Sequence, residues 1–381
     1  MKKRVFGAMV LIGASLAMLV GVQTASAAKT VEISGRAFVF NHMDTGISNA
    51  TVKVREFPKL SATTNELGDY TLEVPNDANV TPYILSGGPA DLTRRNIDGE
   101  VTGTRTNVHW NEIDIQTFHT RGEDIENANL QTPADAEYIG LKALLGIPSE
   151  PGIGRPNECV IVTTSSARNV RDVDYRTYWL NTPHGIEGAT SFGIPSIGDP
   201  IYFNDSVLPD PNQPHSSEDG GIIWPVVPTG AYRIITEHPD TRFASFLATC
   251  APGRVINANP PMGAYQLDPG EKPRTFSNVA AKLVSAKVVK KGKAKRTATI
   301  VLNSGENITG KVSVATGSSG AGRNISLKPG NKTLTFPIGP RVKAKQAKVT
   351  VKLTDASGVS FTTVKKVNVP KIIKKKKGKR G

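Results

Sequence analysis

The stretch Gly46-Ile47-Ser48-Asn49-Ala50-Thr51-Val52, followed after a loop by Thr64-Asn65-Glu66-Leu67-Gly68-Asp69-Tyr70 and then Val74-Pro75, decides the fold class. Apolar residues alternate on both sides of it: Val31, Ile33, Ala37 and Val39 before, Val52 and Val54 within, Tyr70, Leu72 and Val74 after. A period of two is the signature of half-buried strands. The polar turn between them puts Gly68 where a tight reversal calls for positive φ, which glycine adopts without steric cost.

Further along, the pattern returns. Gly185-Ile186-Glu187-Gly188-Ala189-Thr190 echoes Gly46 to Thr51. Ser216-Ser217-Glu218-Asp219-Gly220-Gly221, with Val227-Pro228 and Tyr232, echoes the hairpin and its exit. Arg254-Val255-Ile256-Asn257-Ala258-Asn259 likewise matches Asp124-Ile125-Glu126-Asn127-Ala128-Asn129, so a duplicated unit is expected. The second copy carries a longer loop, Pro195 to Pro214. The order of strand, Thr-Asn-x-x-Gly-Asp-Tyr hairpin and Val-Pro exit resembles the carboxypeptidase regulatory-like domains over about residues 30 to 132. That resemblance implies a transthyretin-type β-sandwich and little about activity, because the fold hosts many functions.

A third pattern starts near Thr275. Ala298, Ile300 and Leu302; Val312 and Val314; Ile325 and Leu327; Leu334, Phe336 and Ile338; and Ala347, Val349, Val351 and Leu353 alternate cleanly, with Lys348 and Lys352 on the opposite, solvated face. Short strands joined by Gly, Pro and Asn turns suggest an immunoglobulin-like sandwich without the Cys…Trp…Cys core of antibody domains. The expected class is therefore all-β, tandem β-sandwiches: two transthyretin-like units at 28–132 and 147–270, and one basic immunoglobulin-like unit at 275–370. A short linking helix is expected at 133–146, with Ala136, Ile139, Leu141, Leu144 and Leu145 lining one face.

Both ends of the chain carry signals. Lys2, Lys3 and Arg4 precede an apolar run from Val5 to Val22, and Ala25-Ser26-Ala27 supplies a small-x-small cleavage pattern. A signal peptide over 1–27 is expected, with the mature chain secreted from Ala28. Residues 371–381 form a basic tail, with Lys374, Lys375, Lys376, Lys377, Lys379 and Arg380, whose composition predicts disorder.

Of the 381 residues, those from Thr275 onward hold 25 Lys plus Arg against two acids, Glu306 and Asp355, a balance of +23. Residues 28 to 274 hold 19 basic and 31 acidic groups, a balance of −12. Such asymmetry assigns separate roles to the two parts. The basic part suits an anionic cell-envelope polymer or a lipid surface. Nucleic acid fits poorly, because the basic unit contains no Trp or Tyr on which bases could stack.

Enzyme signatures are missing: no Gly-x-Ser-x-Gly elbow, no His-Glu-x-x-His, no phosphate-binding Gly loop. No catalytic residue and no cofactor is expected. Cys159 and Cys250, an even pair in an exported chain without any Cys-x-x-Cys, read as a disulfide. His109, Glu112, Asp114 and His119, with His42 and Asp44 from the same unit, are of types that suit zinc, but a polar strand edge with solvated acids is the favoured reading and no metal is expected. Asp199, Asp205, Asp210 and Asp219 would suit calcium, or are ordinary turn formers. Tyr175, Tyr178 and Trp179, with Trp224 beyond the hairpin, offer flat rings on which sugars stack, or else fill the core. The leading expectation is a secreted, non-catalytic protein binding a carbohydrate or protein ligand. The alternatives are a metal-dependent extracellular enzyme centred on His109 and His119, and a purely structural spacer.

Overall fold

The computed structural model describes residues 30–371 apart from 172, 181–182, 292–294, 318 and 340–341, and gives no side chain for Tyr175 or Lys291. The signal peptide expected at 1–27 and the basic run at 374–380 lie outside the described residues. The architecture is all-β, built as sandwiches, with two short α-helices among the described residues, Asp135–Leu144 and Tyr175–Leu180.

In the first unit the strand Thr30–Val39 pairs antiparallel with Asp69–Pro75 and parallel with Leu130–Thr132. The alternation read from the sequence is the burial pattern: Val31, Ile33, Ala37, Val39, Val52, Val54, Tyr70, Leu72 and Val74 all enter one core. The turn before Tyr70 is held by Asn65, whose Oδ1 accepts hydrogen bonds from the amides of Leu67 and Asp69, both at 2.9 Å. Gly68 sits at φ +88°, and a Cβ there would lie 2.3 Å from the Ala37 carbonyl oxygen. Both conformation and space therefore demand glycine.

The second unit rebuilds the bonds on either side of this turn. Thr64 Oγ1 takes the Ala50 amide at 2.8 Å and donates to the Ile47 carbonyl at 2.6 Å. Ser216 Oγ takes the Ala189 amide at 2.9 Å and donates to the Ile186 carbonyl at 2.6 Å. The Ala37 amide reaches the Gly68 carbonyl as the Ser165 amide reaches that of Gly220, and Gly220 also has positive φ, +75°. The strand Cys159–Ser166 pairs antiparallel with Gly221–Val227 and parallel with Val255–Ala258, the same layout as around Thr30–Val39.

Strand pairing crosses from the first unit into the second. Ile113–Asp114 lies antiparallel to Pro82–Ile84 and parallel to Val255–Ala258, so one sheet runs through both. Met262 and Phe276 close the core of the first unit. Cys159 and Cys250 are bridged, joining two strands of the second unit across a sequence separation of 91. The Pro195 to Pro214 loop contains two short strands, Ile201–Phe203 and Pro209–Asp210.

The helix Asp135–Leu144 differs from expectation in the face it buries. Tyr138 and Lys142 turn inward while Ile139 and Leu144 are exposed. Lys142 Nζ donates to the carbonyls of Gly152 (3.0 Å) and Gly154 (2.6 Å), capping a loop that an apolar side chain could not satisfy. The carbonyls of that loop, not the apolar stripe, set the rotation of the helix.

The third unit is a seven-stranded sandwich. Ala281–Lys291, Lys295–Ser304 and Gly330–Ile338 form one sheet; Ser319–Leu327, Ile308–Thr316, Gln346–Thr354 and Ser360–Asn368 form the other. It docks on the rest of the molecule through Arg233, which is 1% exposed and binds Glu306 in a two-pronged ion pair, with Nε at 2.8 Å from Oε2. Asp355 lies 3.9 Å from the same guanidinium. Arg121 adds bonds to the carbonyls of Val279 (2.7 Å) and Ala281 (2.9 Å) and stacks over Phe361.

Candidate binding cleft

Where the two N-terminal units meet there is a cleft of about 330 Å³, within the usual range for small-molecule sites. One wall comes from the first unit. Phe38 and Gln131 are paired residues on neighbouring strands, and Phe40 continues the edge. The other wall comes from the second unit: Thr164, Tyr178, His184, Phe203, Asp219 and Asn259.

Local structure fixes each of these groups. The helix Tyr175–Leu180 starts at Asp174, whose carboxylate accepts the Thr177 amide at 2.9 Å and the Thr177 hydroxyl at 3.2 Å. This start presents Tyr178 inward, where its ring stacks on His184 with centroids 4.9 Å apart and planes 14° from parallel. Burial pushes the Tyr178 hydroxyl up to about 12, so it stays protonated. Asp219 occupies the turn that Leu67 occupies in the first copy. Its Oδ2 accepts the Gly221 amide at 3.1 Å, and desolvation raises its carboxyl while that bond and His184 oppose the rise. Thr164 donates to Asn259 Oδ1 at 3.0 Å. Gln131 is 7% exposed, and its side-chain amide bonds to the Tyr178 hydroxyl, opposing part of the rise that burial causes.

The aromatic residues singled out from the sequence do not form an exposed platform. Tyr178 is buried in the cleft wall, Trp179 is half-buried, and the side chain of Tyr175 lies outside the described residues. Trp224 fills the core of the second unit.

The carboxylates considered for zinc, together with His42 and His119, are held by other side chains and not by one another. Glu112 and Asp114 both pair with Arg55, and Glu112 also with Arg155 at 2.9 Å. Burial raises the Asp114 carboxyl to about 6 against the pull of Arg55 and Arg254. His119 is buried elsewhere, with Nδ1 2.5 Å from Asn79 Oδ1 and Nε2 3.3 Å from Asp77. Desolvation lowers its pKa to about 4, so it is neutral at pH 7. His42 faces Glu137, and Asp44 takes Arg94. Among the described residues no three His, Cys, Asp or Glu side chains converge as a metal site. Of the loop carboxylates, Asp219 alone enters the cleft.

The sequence reading missed Gln131, His184 and Asp219 as a group. A signal existed for Asp219: aligning the two copies sets an acid against Leu67 in an otherwise matching turn. Gln131 had none, because its role depends on a neighbour in the other unit.

No family model matches the chain, and no curated protein matches it. Solved structures give distant likenesses. A DUF3823 family protein from Bacteroides ovatus ATCC 8483 is 15% identical over 55% of this chain and 98% of its own, with a TM-score of 0.15. A 1.5-MDa bacterial ice-binding adhesin is 9% identical over 90% of this chain and 98% of its own, TM-score 0.17. A protein of the Bacteroides ovatus mixed-linkage glucan utilization locus, solved with a mixed-linkage heptasaccharide, is 13% identical over 85% of this chain and 60% of its own, TM-score 0.14. At such overlap no ligand or activity carries across to this chain.

Proposed function

We propose that this is an exported, non-catalytic binding protein that takes a neutral sugar unit of a carbohydrate in the cleft between its two related N-terminal sandwiches. The observation that carries the reading is the convergence of three largely buried polar groups, the Gln131 amide, the Tyr178 hydroxyl and the Asp219 carboxyl, on one cleft with aromatic rings in its walls. A sugar hydroxyl matches this set, since it can accept from the second N–H of the Gln131 amide while donating to Asp219. Phe40, half-buried at the rim, offers an apolar face to the C–H side of a pyranose ring. The finer family reading, two carboxypeptidase regulatory-like units followed by an immunoglobulin-like one, accords with the matched hydrogen bonds of the two copies and the seven strands of the third unit.

The test is a neutral-glycan array followed by calorimetry on Gln131→Ala and Asp219→Asn. Each substitution should weaken the best ligand about tenfold, the loss of one buried hydrogen bond to a sugar. Binding unaffected by either change would place the ligand elsewhere, and an array without any hit would leave the spacer reading.

The strongly basic C-terminal part, in the same reading, holds the exported protein at an anionic surface. Removing the residues after Pro370 should release it from isolated envelopes. Washing at about 1 M salt, where the Debye length shrinks to about 3 Å, should do the same. Equal partitioning of the full and shortened chains at low salt would remove the tail from that role.

A further inference from the structure

The third unit has two acids, and both are buried. Glu306 and Asp355 are 1% and 5% exposed and face Arg233 of the second unit. Docking thus consumes all its negative charge, and every exposed formal charge among its described residues is positive.

These charges are not evenly spread. On the outer face of the four-stranded sheet, Lys311 lies directly opposite Lys352, and Lys348 directly opposite Lys366. All four are exposed. Lys348 and Lys352 share a strand four residues apart, which sets the two pairs roughly 13 Å apart at about 3.4 Å per residue. Between and beside them the floor is low: Ser313, Ala315 and Thr350, with Gly320 and Gly322 on the edge strand. Like charges directly opposite on adjacent strands destabilise a sheet. Two such pairs on one face, with no acid beside them, oppose folding and call for an external counter-charge.

We infer that this lysine face is a docking surface for an extended polysaccharide bearing carboxylates. The inference rests on the reading of the basic unit as the surface-holding part and moves the contact from the tail to a folded face. Charge complementarity sets the sign of the partner. The face holds no Arg and therefore no fork for two-pronged binding of a single anion; its lysines act as separate point charges, suited to single charges repeated along a chain. Val364 is its one large apolar side chain, too little to insert into a bilayer. It carries no aromatic ring for a nucleic-acid base.

The experiment uses the whole chain from Ala28, with polygalacturonate as the probe and phosphatidylglycerol vesicles and duplex DNA as counter-arms. The variant K311Q/K348Q/K352Q/K366Q removes the face. K287Q/K290Q/K328Q/K332Q removes the same charge from exposed sites off that sheet face, and a chain ending at Lys371 removes the tail. The face variant should bind polygalacturonate at least about tenfold more weakly, with a shallower salt dependence, and the control variant within about threefold of the parent. The face variant should also melt at or above the parent temperature, since two repulsive pairs are gone. Equal losses in the two quadruple variants would reduce the effect to net charge and overturn the inference. Loss on tail removal with the face variant unaffected would overturn it while leaving the surface-holding role intact. Tighter binding of vesicles or DNA through the same four lysines would overturn the assigned class of partner.

Discussion

The two junctions in this molecule are made by different physics. The first and second units share backbone: Asp114 is in register with Ile256, the Thr117 amide reaches the Leu247 carbonyl at 2.8 Å, and Met262 packs in the first core. The second and third units meet chiefly through side chains, centred on Arg233 with Glu306 and Asp355. Backbone pairing is indifferent to single side chains, whereas a buried ion cluster depends on each member. The N-terminal pair should therefore unfold as one body and the C-terminal sandwich as another.

Removing the disulfide gives the largest effect on this contrast. Cys159→Ser with Cys250→Ser opens a loop whose closure contributes about 4–5 kcal/mol in the chain-entropy view. Calorimetry should show one lowered transition for the first and second units together, with the third unchanged. A drop confined to the second unit would break the picture of a shared body.

Arg233→Met attacks the other junction. It leaves Glu306 buried without its partner, a loss of about 3–5 kcal/mol, and R233M/E306Q should recover most of it. Hydrogen exchange should locate the loss at Val279 to Ala281 and around Glu306. An N-terminal pair destabilised as much as the third unit would mean that the junctions are not separable.

The third effect depends on pH. The folded pKa of His119, about 4, lies below its unfolded value near 6.5, so the folded state binds fewer protons between them. The stability from keeping this ring neutral is complete above about pH 6.5 and disappears as pH falls toward 4, with a magnitude of about 3 kcal/mol. His119→Gln should flatten the loss of stability between pH 7 and 4 by that order. An unchanged profile would assign acid sensitivity to other groups.

Much of the fold was legible because it is written locally. Alternation located five of the seven strands of the third unit, and the Gly68 turn declared its backbone requirement through one residue. The repeat was visible in Gly185 to Thr190, and the pairing of Cys159 with Cys250 followed from their count and from the export expected of the chain. What stayed hidden was long-range. Nothing near Ile113 says that its strand joins one from the second unit. The inward turn of Tyr178 depends on Asp174 and on a space that Gln131 helps to create. The helix at 135–144 misled because Lys142 looked like a surface residue, while its partners lie in a later loop. The two acids of the basic unit looked incidental until their burial against Arg233 showed where they are used.

The shared sheet also has a consequence in time. A chain is made from its N-terminus at about 5–20 residues per second, so the strand Val255–Ala258 and Met262 emerge on the order of ten seconds after the first unit is otherwise complete. Until then Ile113–Asp114 has an open edge, which invites wrong pairing, and the first core lacks its closing residues. Folding of the first half is thereby postponed until the second half exists. A polypeptide that matures so late remains threadable through a narrow pore for most of its synthesis.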